Sequence, residues 1–142
     1  MNDLEETLRR KLQGCGEFLK ATLLLSEALA SEETAVIERL LDRRERLIRD
    51  IDGLDRRIDL HRREGRYARG SAIAARWETF SEEIGRTLEQ IISANQACDT
   101  IAANSRETAR RELMILRQKE QGLQRYADRK TERTPRFLNL QT

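Results

Sequence analysis

The stretch AARWETFSEEIGRTLEQIISANQACDTIAANSRETARRELMILRQKEQGLQRY (residues 74–126) decides the fold. Ala74, Trp77, Ser81, Ile84, Leu88, Ile91, Asn95, Cys98, Ala102, Ser105, Ala109, Glu112, Leu116, Lys119, Leu123 and Tyr126 recur at alternating three- and four-residue intervals. That interval keeps one line of side chains on one face of a helix. With Ser71 as its cap, the pattern predicts a helix over residues 71–126. At ~1.5 Å per residue it would span ~84 Å, against ~40–48 Å for each helix before it. The seam changes along its length. Up to Cys98 it is mostly bulky; beyond it come Ala102, Ser105, Ala109, Glu112 and Lys119, with Ile101, Leu113 and Ile115 beside them. Asn104 and Glu107 have capping-box spacing, and Ser105 can also cap. A break there into a fourth helix is the alternative to one continuous helix, although neither glycine nor proline interrupts the segment.

Working outward, residues 32–63 carry a cleaner seam: Ile37, Leu40, Arg44, Leu47, Ile51, Leu54, Ile58 and His61, with Arg44 and His61 as its polar members. Ser31, followed by Glu32 and Glu33, reads as the cap of this second helix after a tight turn. Residues 3–30 read as the first helix, with Leu4, Leu8, Leu12, Cys15, Leu19, Thr22, Leu25 or Ser26, and Leu29 along its stripe. Acids in its first turn suit the helix dipole. Gly14 and Gly16 either weaken it locally, at ~1 kcal/mol each relative to alanine, or allow close helix approach or a slight bend. The segment EGRYARG (64–70) is the loop of the chain. Pro135 ends any helix at or before Thr134, so residues 129–142 read as a flexible basic tail behind a helical domain over residues 1–128. The fold class expected is all-α: an antiparallel three-helix bundle or coiled coil with an extra-long third helix.

Composition agrees. Charged residues make up 37%, hydrophobic residues 38% and aromatics 4%, which suits extended helices with a thin apolar seam rather than a thick globular core. Arginine outnumbers lysine 23 to 4, favouring paired contacts with carboxylates; most of these charges read as a solvated surface, with acids such as Glu38 and Asp42 facing Arg39, Arg43 and Arg46. The net charge of +2 does not mark a nucleic-acid binder. Between residues 106 and 136 there are ten basic and five acidic side chains, but without a stacking surface or recognition motif this basic region is a weak signal for nucleic acid.

No catalytic or metal chemistry is expected, and no cofactor. A single histidine, His61, cannot supply the paired Glu-x-x-His motifs of a di-metal bundle, and its seam position reads as packing. Cys15 and Cys98 lack CxxC spacing and read as small core residues of a protein in reducing cytoplasm. The acidic N-terminus does not resemble a signal peptide, and no apolar run is long enough to span a membrane. The enzyme class is therefore set aside.

Short turns place successive helices side by side. The first two helices and the bulky half of the third then close a bundle. The rest of the third helix keeps an apolar stripe without a partner in the chain. Such a stripe calls for another protein, either an amphipathic helix of a client or a second copy. Glu112 and Lys119 within it suit reversible association. The expected contacts are Leu113, Leu116, Leu123 and Tyr126, with Arg117 and Arg125 meeting acids on the partner. Packing of these residues on the bundle itself is the plainer alternative.

The stretch SEETAVIERLLDRRERLIRDIDGLDRRI (31–58) resembles the second-helix region of flagellar export chaperones of the FlgN/FliT-like group. ILRQKEQGLQRYADRK (115–130) is similar to that group's closing segment, in which a basic stretch leads to a small residue, a leucine and a tyrosine; here these are Arg117, Lys119, Gly122, Leu123 and Tyr126. PRFLNL (135–140) resembles a tail seen in some members. The resemblance implies a small cytoplasmic chaperone of the flagellar type III secretion system. It would hold a hook-associated or filament-cap substrate by an aggregation-prone terminal helix and bring it to the export machinery. The alternative is a structural coiled-coil or oligomerisation protein with no client.

Overall fold

The computed structural model describes residues 3–64 and 72–133, with the side chains of residues 73 and 130–133 left aside. Three helices account for nearly all of them: α1 (Asp3–Ala30), α2 (Thr34–Glu64) and α3 (Ala72–Arg133), with no strand among the described residues. The architecture is all-helical, and its packing is that of a helical bundle. Residues 65–71 and 134–142 lie outside the described residues, and with them most of the expected loop (64–70) and of the expected tail (129–142), including Phe137, Leu138 and Leu140; Glu64 itself closes α2.

The chain divides into two compact units, Met1–Ala102 and Ala103–Thr142. The first holds both cores. One joins Cys15, Phe18 and Ala21 of α1 to Leu47 of α2 and Ile84 and Ile91 of α3, with Leu12, Leu19, Leu40 and Ile51 packed against it. The other joins Leu4, Leu8 and Ile58, with Trp77 and Phe80 beside them. Burial of each aliphatic or aromatic side chain contributes about 1.5–3 kcal/mol before ordering costs. Two buried threonines, Thr7 and Thr22, sit in this apolar setting because each hydroxyl donates to the carbonyl four residues back: Thr7 Oγ1 to Asp3 O at 2.7 Å and Thr22 Oγ1 to Phe18 O at 2.8 Å. That local bond removes the cost of an unsatisfied buried hydroxyl.

Helix-to-helix polar contacts register the unit. His61 Nε2 lies 3.0 Å from Asp3 Oδ2, Lys11 Nζ lies 2.6 Å from Asp55, and Arg43 reaches Glu17 at 3.8 Å. Arg76 of α3 reaches Glu5 of α1 at 2.6 Å. Arg43 therefore pairs with α1 and not with an acid of its own helix. Exposed pairs of this kind contribute at most about 1 kcal/mol each; their value lies in fixing which side chains meet. The two glycines of α1 differ. A β-carbon at Gly14 would stand 3.3 Å from Ile51 Cγ1, so this glycine lets α2 approach closely, whereas Gly16 faces open space.

The α1–α2 turn departs from the expected cap. Ser31 N–H donates to Glu27 O at 3.0 Å, continuing α1, so Ser31 ends the first helix and does not start the second. Glu32 adopts φ of 55°. Its N–H donates to Leu29 O, and that of Glu33 donates to Ala28 O. This pair of bonds is the Schellman motif, in which one left-handed residue satisfies the last carbonyls of a helix. The carbonyl of Glu33 then accepts from Ile37 N–H, so α2 begins at Thr34. α3 runs beyond Tyr126 to Arg133, because nothing in residues 127–133 breaks a helix and proline acts only from residue 134 onward. It passes Asn104 without a break, and Thr108 Oγ1 donates to Asn104 O at 3.0 Å inside the helix.

Candidate functional site

Buried charge is where chemistry usually resides, and Arg44 and His61 are the polar members of the α2 seam. Arg44 of α2 donates from Nη2 to Asn95 Oδ1 of α3 at 2.7 Å, and its guanidinium carbon lies 4.7 Å from the centre of the Phe18 ring. Its Nε is buried without a hydrogen-bond partner. The group joins all three helices, and the thiol near enough to feel its charge, Cys98, is buried. Among the described residues no group of three or more His, Cys, Asp and Glu side chains could hold a metal ion. His61 is buried against α1 through Asp3. Both cysteines are buried and unpaired; burial is the larger effect and pushes each thiol above its ordinary pKa, with Lys11 acting on Cys15 and Arg44 on Cys98 in the opposite direction. Cys98 Sγ rests 3.5 Å from Thr22 O. These are packed thiols in the protonated form, poor nucleophiles.

The second unit differs in kind. From residue 106 to residue 129 every side chain is exposed. Leu113 is 54% exposed, Leu116 55%, Leu123 69% and Tyr126 66%, with Met114 and Ile115 similar. At about 100° per residue, Ile115, Leu116, Leu123 and Tyr126 fall within an arc of about 100° on one side of α3. Glu112 and Lys119 stand inside that arc. The helix thus brings Leu116, Leu123 and Tyr126 together and adds Ile115. By the same geometry, Leu113 lies about 110° from the middle of the arc, and Arg117 and Arg125 about 130–150° away. The bases bordering the apolar face are Arg111, which reaches Glu107 at 3.4 Å, and Arg129.

A second surface was not visible in the seam. Between α2 and α3 of the first unit lies a cleft of about 240 Å³, lined by Phe18, Ile48, Ile51, Leu88 and Ile91 and edged by Asp52 and Asp55. Ile48 and Leu88 are nearly half exposed. Ile48 is off the seam of its helix, so the three-four count passes over it. Leu88 is on the seam and yet remains open.

No family model, curated protein or solved structure matches this chain. No helix among the described residues is long and apolar enough to cross a membrane.

Proposed function

We propose that the chain is a protein-binding helical module that captures an amphipathic helix on the exposed face of α3, as a flagellar export chaperone holding a late secretion substrate in the cytoplasm. One observation carries the binding part: Ile115, Leu116, Leu123 and Tyr126 share a side of a helix and are all more than half exposed. Leaving four large apolar side chains in water forfeits several kcal/mol of available burial. A client helix whose apolar face must stay covered before export fits such a surface. Glu112 and Lys119 within the face favour release over permanent association. The choice of client, a hook-associated or filament-cap protein, rests on the sequence resemblance of residues 31–58 and 115–130.

The helices of the first unit are taken as antiparallel neighbours. The pairings Asp3 with His61, Lys11 with Asp55 and Glu17 with Arg43 run in opposite order along α1 and α2, which supports that arrangement.

The test is a titration of a labelled peptide, the terminal helix of the hook-associated or filament-cap protein of the same bacterium, followed by fluorescence anisotropy. Saturable binding by the full chain is expected. Leu116→Asp should weaken it ~10- to 100-fold, the equivalent of one buried leucine, with helicity by circular dichroism unchanged. Equal binding by the variant would remove the face from the reading, and absence of binding to every such helix would remove the client.

A further inference from the structure

We infer that, without a client, the exposed face of α3 is covered by the same face of a second copy lying antiparallel to it. Charge within the face favours this pairing whatever the client. Glu112 and Lys119 are the two charged side chains set among Ile115, Leu116, Leu123 and Tyr126, and they have opposite sign. Among the described residues neither has an ion-pair partner. They lie on either side of Ile115 and Leu116, near the middle of the helical part of the second unit.

A two-fold axis close to Leu116 turns this spacing into self-complementarity. In an antiparallel pair centred there, Glu112 of each copy comes within one helical turn of Lys119 of the other, so two attractive contacts form at once. The same operation sets the small Ala109 toward the end that holds the bulky Tyr126 of the second copy, which suits large-against-small packing. A parallel pair in register would bring Glu112 against Glu112 and Lys119 against Lys119, a repulsive arrangement. The contact is isologous and closes at two copies.

The experiment is sedimentation velocity of the full chain without any client, on wild type, Glu112→Lys, Lys119→Glu and the double exchange, with circular dichroism as the control for helicity. A reversible dimer is expected. Each single exchange places like charges together twice and should weaken the dimer by ~tenfold or more, and the double exchange should restore it to within ~threefold. A wild-type chain that stays monomeric up to ~100 μM, in the weak range of protein affinities, overturns the inference. So does a dimer indifferent to the single exchanges. Loss in the single variants without recovery in the double overturns the antiparallel pairing. Because no client is present, these outcomes are independent of whether the chain is a chaperone.

Discussion

Glu32 offers a sharp test of how the first two helices are joined. It holds the left-handed position of the Schellman turn with φ of 55°, where glycine is the usual residue. A side chain in that region costs about 1–2 kcal/mol. Glu32→Gly removes this cost but gives the unfolded chain extra freedom worth about 0.5–1 kcal/mol. The net expectation is a gain of about 0.5–1 kcal/mol. With a urea slope of about 2 kcal/mol per molar, the midpoint should rise by about 0.3–0.5 M. Glu32→Ala is the control, since it removes the carboxylate near the start of α2 but keeps the β-carbon and its strain. Equilibrium urea unfolding followed at 222 nm reads all three chains. If Glu32→Gly is no more stable than Glu32→Ala, the assignment of strain to this turn is refuted.

Three further expectations follow from the packing. Gly16→Ala should stabilise by about 1 kcal/mol through helix propensity, and Gly14→Ala by less or not at all, because its β-carbon would meet Ile51 at 3.3 Å; paired urea curves decide the difference. Asn95→Leu should cost about 1–2 kcal/mol by removing the acceptor of a half-buried Arg44 whose Nε already lacks one, and adding Arg44→Met should recover most of it, as a thermal-unfolding double-mutant cycle would show. Because burial raises both thiol pKa values in the folded chain, the folded state holds protons that the unfolded state releases. This stabilisation is complete below the ordinary thiol pKa and is lost as pH rises through the folded values. Urea midpoints measured on the alkaline side should fall less for the Cys15→Ala, Cys98→Ala variant than for wild type.

The all-helical architecture and most of its interior were legible in the spacing of Leu4, Leu8, Cys15, Leu25, Leu47, Ile58, Ile84, Ile91 and Cys98, all buried. What the seam count passed over has a common cause. A bundle helix with two neighbours buries a face wider than one line of side chains, so Thr7, Phe18, Ala21, Ala28 and Ala94 are buried beside the seam. No glycine marks the α1–α2 turn in the sequence, because its left-handed residue is Glu32, and Ser31 then stands out as a cap although it ends α1. In the candidate site, the shift from bulky to small and charged seam residues after Cys98 marked where burial ends, and residues 106–129 are exposed. Leu113, Arg117 and Arg125 share the segment with Leu116 but stand off the arc that holds Ile115, Leu116, Leu123 and Tyr126. The partner of that face depends on chemistry outside the chain, which periodicity does not encode.

We propose a division of labour in which residues beyond Asn104 serve association and the first unit carries the fold. Among the described residues neither hydrophobic core has a member beyond Ile91, and the last buried apolar side chain is Cys98. Sedimentation velocity of the full chain and of a chain ending at Asn104, each alone and with the client helix, tests this most directly. The shortened chain is expected to sediment as a folded monomer and to capture no helix. A shortened chain that still associates or still binds the client would contradict the proposal.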